Sequence, residues 1–409
     1  MGLRATGNTS NSNSTSSPQS PGIFAARVKE IILDDKANPE MFKSNGEWSG
    51  IGTIFYSLIN TSNTSKDPYS ALTASPLFPN QKYYPLINEV VYIISLPTAG
   101  IEGAVNSQKF YYFQPINLWS NNHHNAIPDP MTTPSTPDSE NSDYIETEAG
   151  VVRRVTDGGT DINLGKTFKE NLNVKTLLPF EGDIVYEGRW GQSLRLGSTV
   201  KESTTPNPWS RTGEDGDPIT ILRNSQYDDG KDPWVPQVEN INQEGSSLYM
   251  TSTQAIPIEV SSKSYKSYKS SPTSPDKFEG EQVIINSNRL VFNTKEDSIL
   301  FSSAKSINLN SLESVNIDSP ETIIQSDKVL LGDKNASESV ILGDKFLTDL
   351  QKLLTQLISL GTALQTPIGT PVPFVPNAAL PVPAVNVTQT ASQMLNKIQT
   401  YKSKVSKTK

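Results

Sequence analysis

The chain has 409 residues, with 35 basic against 43 acidic side chains and a formal net charge of −8. That length holds two or three domains, and the acidic balance argues against an extended nucleic-acid surface. Cysteine is absent, which excludes a disulfide framework, a thiolate metal site and a cysteine nucleophile.

Only 35% of the residues are hydrophobic and 8% aromatic. This is thin for one large enzyme core but sufficient for strands that alternate apolar and polar residues. No apolar run approaches the length of a membrane span. The first 22 residues, MGLRATGNTSNSNSTSSPQSPG, lack a hydrophobic stretch and read as a disordered polar tail.

Strand signals follow. Ile23–Asp34, Gly46–Asn60, Pro85–Pro97 and Gln108–Trp119 are rich in β-branched and aromatic residues and punctuated by Gly, Pro and Asn. They predict a small antiparallel barrel. Residues 120–173 are Pro-, Ser- and Asp-rich and read as a long insertion. Leu177–Val200 restores strand character and is expected to close the barrel, giving a barrel domain over residues 23–200. Residues 201–282 read as an extended connecting segment holding two short strands and a polar KSY-repeat linker.

Between residues 283 and 344 the pattern becomes periodic. Val283, Val291, Ile299, Ile307, Val315, Ile323 and Leu331 stand at intervals of eight. If such aliphatics make up roughly one residue in five, seven in one register arise by chance on the order of 10⁻⁵. A second layer, Ile285, Phe301, Leu309 and Ile317, lies two residues further on, which is the same face of a strand. Asn293, Gln325 and Asp333 interrupt it.

Eight residues fit one short strand and a tight turn, as in SINLNSLE and SVNIDSPE, and such a unit buries its apolar face only by stacking. Seven octads give little more than two turns of a one-chain triangular coil, fewer than a stable solenoid needs. Shared among three chains, the same octads build a complete prism. Edge hairpins on a globular domain and a one-chain solenoid completed by other segments are the alternatives.

From residue 345 the step changes. Phe346, Leu350, Leu353, Leu357, Leu360 and Leu364 follow heptad spacing on a helix, either a three-chain clamp or a hairpin packed on its own chain. A Pro-rich spacer, Pro367–Pro383, precedes a second helical pattern at Met394, Ile398, Tyr401 and Val405. The last residues, from Asn396, hold five lysines and no acid, and read as a frayed helix end or a surface-binding tail.

Catalytic and metal-binding patterns are missing. His123 and His124 are the only histidines and sit in a Pro/Asn-rich loop with no nucleophile elbow nearby. Arg211–Pro218, RTGEDGDP, lacks calcium-loop spacing, and Asp157–Asp161, DGGTD, lacks the Lys-Ser/Thr of a phosphate loop. Lys109–Phe113, KFYYF, offers aromatics without surrounding positive charge and reads as core strand rather than a single-strand nucleic-acid platform. No cofactor is expected, and no enzymatic activity.

The octads, PFEGDIVYEGRWGQSLRLGSTV, GDPITILRNSQ with SSLYMTSTQ, and VLLGDKNASESVILGDKFLTDLQKLL together resemble the central spike, or cell-puncturing, proteins of contractile phage tails. That group includes the valine-glycine repeat proteins of type VI secretion. The resemblance covers roughly Ile23 to Leu364. It implies a mainly β fold, an oligonucleotide-binding-type barrel followed by an intertwined trimeric β-prism with short C-terminal helices.

It also implies a non-enzymatic homotrimer in the virion tail baseplate, made in the host cytoplasm. Its partners would be hub proteins, a tip-capping protein and, transiently, the host outer membrane, with no nucleic acid. The seven octad aliphatics would be the axial core. Two features depart from the family: octad glycines are nearly confined to Gly332 and Gly343, and the span from Val200 to Val283 is too short for the lysozyme domain some members insert. A receptor- or carbohydrate-binding trimeric tail protein, or a depolymerase, is the alternative.

Overall fold

Strand β1 (Ile23–Ile31) carries Ala26, Val28 and Ile31 on one face, and these are buried while its other residues are more exposed. It opens a computed structural model that describes residues 22–59, 72–87, 89–97, 108–116, 144–146, 152–154, 173–204, 206–231, 234–341, 343–365 and 381–408. Two compact units divide the chain: Met1–Pro257 with Phe278–Leu290, and Ile258–Lys277 with Val291–Lys409.

In the first unit β1 is followed by a short helix α1 (Pro39–Ser44), a 3-10 turn (Glu47–Gly50) and strands β2 (Ile54–Leu58), β3 (Leu72–Pro76), β4 (Val90–Pro97) and β5 (Gln108–Pro115). These five strands close into a barrel in the order β1–β2–β3–β5–β4, with β4 returning to β1. Every pairing is antiparallel except β3 with β5. The inward residues Ala26, Val28, Ile31, Ile54, Tyr56, Ala74, Val91, Ile93 and Tyr112 form its core. Full burial of each larger side chain stabilises the fold by about 1.5–3 kcal/mol before entropy is counted.

The Tyr112 hydroxyl, deep in that core, donates to the Gly52 carbonyl at 2.7 Å. Gly52 takes φ +85°, and a Cβ there would lie 2.9 Å from Pro76 Cγ. Only glycine fits this approach of chain to chain. Helix α1 starts where the Asn38 side chain accepts from Met41 N at 3.2 Å, with Pro39 at the first helical position. It buries Met41 and Phe42 against Ile32 and Phe55.

Two expectations change here. The stretch Gly46–Asn60 begins as a 3-10 turn rather than as strand, because Gly46 at φ +89° turns the chain first. The barrel is already closed by residues 23–115, and the segment expected to close it lies in a different sheet. Within residues 120–173 a hairpin of β6 (Tyr144–Glu146) and β7 (Val152–Arg154) is described. His123, His124 and Asp157–Asp161 lie outside the described residues.

A second sheet follows as an antiparallel meander of β8 (Ile184–Glu187), β9 (Ser193–Ser198), β10 (Pro218–Asn224), β11 (Ser246–Thr251) and β12 (Gln282–Ser287). The span 201–282 therefore supplies two of five strands in addition to connections. Arg189, in the β8–β9 turn, donates to Glu89 and Tyr83 of the barrel region, and Tyr83 donates to Glu89 at 3.1 Å. That trio, with Glu89 buried and Arg189 and Tyr83 half-buried, joins barrel and meander within the unit.

In the second unit, residues 291–328, where the octads predict one short strand each, form neither strand nor helix in the single chain. Beyond them come β13 (Val329–Leu331), β14 (Glu338–Ile341), helix α2 (Gly343–Gln365), helix α3 (Pro381–Lys397), a 3-10 turn (Ile398–Tyr401) and β15 (Lys402–Thr408). Strand β15 is central in a three-stranded sheet, parallel to β13 and antiparallel to β14. The lysine-rich end is thus a paired strand and not a frayed helix. Val405, expected on a helix, lies on β15, whose backbone pairs with β13 and β14. Residues 367–380 of the Pro-rich spacer lie outside the described residues, and its last three open α3.

Candidate assembly interface

The octads are made of dipeptide alternation and a corner. Asn308 donates to Ser306 at 3.1 Å and Asn316 to Ser314 at 3.0 Å, eight residues apart and on the same polar side of the chain. Ile307 with Leu309, and Val315 with Ile317, alternate with them. Ser303 and Ser311 accept from the backbone N–H two residues on, Lys305 and Glu313, each at 3.3 Å. Ser319 donates to the Glu321 carbonyl at 2.8 Å. Serine at 303, 311 and 319 is a second eight-residue series, one that marks the turns and that the aliphatic pattern alone does not reveal.

In the single chain the aliphatic series is left largely uncovered by the described residues. Val283, Val291, Ile299, Ile307, Val315, Ile323 and Leu331 are all exposed, from 44% at Ile299 to 77% at Ile323. The second-layer residues Ile285, Phe301, Leu309 and Ile317 are exposed as well, with Phe301 edge-on to Phe292 at 6.5 Å. Apolar surface of this extent is seldom left exposed on a monomeric chain. The segment 258–277 meets it once, where the Asn310 amide donates to the Ser262 carbonyl at 3.1 Å and Ser262 donates back at 2.9 Å.

The heptad residues divide between two surroundings. On α2, Leu350, Leu353 and Leu360 are half-buried, whereas Phe346, Leu357, Leu347, Leu354 and Ile358 are exposed. One side of α2 packs within its own chain beside α3, and a second apolar side is left open. Phe346 still stacks edge-on against Tyr401 at 5.9 Å, and the Tyr401 hydroxyl donates to Asp349.

In the meander the two faces carry opposite chemistry. The covered face carries the charge, with Arg195 and Arg223 set among the buried Ile219, Ile221, Tyr249 and Ile284. Arg195, with no exposed surface, donates through Nε and Nη2 to both oxygens of Glu239, at 2.7 and 3.1 Å. It also reaches Asp183 and the Leu178 carbonyl, and lies over the rings of Phe180 and Trp209, which pack edge-on against each other. Beside it Arg223 donates to Ser193 at 3.1 Å and faces Glu244 at 3.5 Å, and Tyr249 donates to Glu244 at 3.0 Å. Glu187 accepts from Leu177 N at 2.7 Å. Burial raises the pKa of Glu187 and of Glu244 above the usual carboxylate value, against the pull of nearby arginines.

No family model matches the chain, and no curated protein or solved structure matches it either.

The remaining sequence candidates are accounted for by structure. Arg211–Pro218 is a tight turn in which Asp217 accepts from Glu214 N at 2.8 Å and from Thr253, so that carboxylate is already engaged. Among the described residues no group of three or more His, Asp or Glu is placed to hold a metal ion. No helix among them is long and apolar enough to cross a membrane. In KFYYF, Tyr112 points into the barrel core, while Phe113 stacks on Tyr92 at 5.4 Å.

Proposed function

We propose that the chain is a non-enzymatic structural protein, the central spike of a contractile tail baseplate, working as a homotrimer. The observation that carries the reading is the octad series, seven aliphatics in register and all exposed in the single chain. Three copies running side by side would turn each octad into one side of a triangular prism. Each level would then bury three aliphatics on the axis and pair its backbone with neighbouring chains.

The upstream barrel supports the same reading. Its five strands, with a parallel β3–β5 pair, follow an order consistent with the oligonucleotide-binding-type barrel that the resemblance implies. In this account the barrel seats on the hub and the rod passes through the outer membrane as the sheath contracts. The helices α2 and α3 clamp the end of the rod. The work is mechanical, and stiffness comes from interchain hydrogen bonds and a dry aliphatic axis.

A second reading, receptor or carbohydrate binding by a trimeric tail protein, is favoured by one observation. The barrel exposes aromatic surface at Tyr92, stacked on Phe113, and at Trp48. Negative-stain images of the purified protein test the first reading and a glycan array tests the second. A slender threefold rod with no glycan signal is expected. Globular particles that bind glycans would reverse the order of the two.

A further inference from the structure

The uncovered face of the meander carries two unbroken rows of side chains across all five strands. One row runs Ile184, Leu196, Thr220, Met250, Val283, each opposite the next in the strand pairing. The other runs Tyr186, Leu194, Leu222, Leu248, Ile285. Neither row contains a charged residue. Seven of the ten are exposed, among them Tyr186 at 59%, Leu222 at 50% and Val283 at 65%. The opposite face cannot be the one awaiting an occupant, since Arg195, Ile221, Arg223, Tyr249 and Ile284 on it are buried by the unit's own chain. An antiparallel sheet normally buries its apolar face and solvates the charged one. Here the charged side chains lie on the covered face, among Ile219, Ile221 and Tyr249, and the charge-free rows are left largely exposed.

We propose that this face is a contact between copies of the chain, so that threefold packing begins at Ile184, about a hundred residues before the first octad. The inference rests on the trimer reading above. What identifies the occupant is register. The rows end on the edge strand β12 at Val283 and Ile285, and these two residues are the first members of the two octad layers. The axial series and the sheet face therefore share residues, and a residue cannot pack on the axis of a trimer while its row packs on an unrelated partner. The chemistry agrees. A face with only Thr220 and Tyr186 to offer hydrogen bonds suits an equally apolar surface, and the same face of another copy is one.

The absence of cysteine makes a direct test available, because one introduced thiol can link only to another copy. Leu222→Cys sits at the centre of the face on a half-exposed position, so the fold tolerates it; Glu202→Cys, on an exposed turn of the same unit, is the control. Both full-length variants are treated with a short bismaleimide, and the parent's mass is measured by light scattering. The expected result is a three-chain mass, with covalent dimers formed at least tenfold more from Leu222→Cys than from Glu202→Cys. A three-chain mass with equal or no cross-linking overturns the face and leaves the trimer standing. A one-chain mass overturns both.

Discussion

Arg195 and Glu239 form a two-point ion pair, 2.7 and 3.1 Å, with neither side chain exposed to solvent. The pair is the centre of a buried charged layer beneath the meander, and it fixes which face of the sheet is left open. Planar guanidinium matched to carboxylate gives the geometry its direction, and the flanking Phe180 and Trp209 rings keep water out.

Breaking that pair from one side should be costly. Arg195→Met leaves Glu239 and Asp183 buried without their cation, and removal of one partner of a buried pair typically destabilises by about 3–5 kcal/mol. Urea unfolding followed at Trp fluorescence should show the loss. A change within about 0.5 kcal/mol would mean the layer is hydrated and the pair incidental.

Acid should relieve part of the same layer. Burial is the main cause of the raised pKa at Glu187 and Glu244, whose ordinary value is 4.5. The folded state therefore holds protons that the unfolded chain has released. As pH rises from about 4.5 through the raised folded values, these two groups reduce stability; below it their penalty is absent. Glu244→Gln removes one of them, so the fall of unfolding free energy with rising pH in that window should be shallower. An unchanged slope would show that Glu244 does not titrate there.

Gly52→Ala should weaken the barrel by about 2 kcal/mol, because a side chain is strained at φ +85° and its Cβ meets the Pro76 ring. Gly182→Ala, at φ +88° with open space around it, isolates the backbone part of that cost. Thermal unfolding of the two variants separates strain from collision. Equal midpoints would show that the Pro76 contact relaxes freely.

The barrel strands were legible because Val, Ile, Phe and Tyr cluster between Gly and Pro breaks. Helix α1 carried a readable signal too, Asn38 followed by Pro39, but at six residues it shows no helical period. The face assignment in the meander was not legible. SLRLGS alternates cleanly and PITILRN does so up to Ile221, where Leu222 follows directly, yet alternation names two faces without saying which is covered. The partners of Arg195 and Arg223 come from Asp183, Glu239 and Glu244 on distant loops, and no local pattern announces them.

The C-terminal strand failed for a related reason. Met394, Ile398, Tyr401 and Val405 fit a helix, but pairing with β13 and β14 decides in favour of strand from Lys402 onward. The octad aliphatics were fully legible as a period. Their packing was not, since in the single chain the octads over residues 291–328 form neither strand nor helix and their aliphatics stay exposed.

Charge on the proposed axis should act at alternate residues. Val315→Asp would bring three carboxylates together on the axis, and unpaired buried charge is severely destabilising. Asn316→Asp changes a residue on the polar side, where its amide meets Ser314, and should be nearly silent. Trimer content by sedimentation velocity should drop at least tenfold for the first variant and stay within twofold of parent for the second. Equal effects at the two positions would mean the octads are not a rod core.

The most direct measurement is the native mass of the intact protein. A chain of 44.7 kDa assembled as proposed should give a single species of three chains, about 134 kDa (3 × 44.7), persisting on dilution to nanomolar concentration. A folded species at the mass of one chain, its octad aliphatics still exposed, would contradict the account.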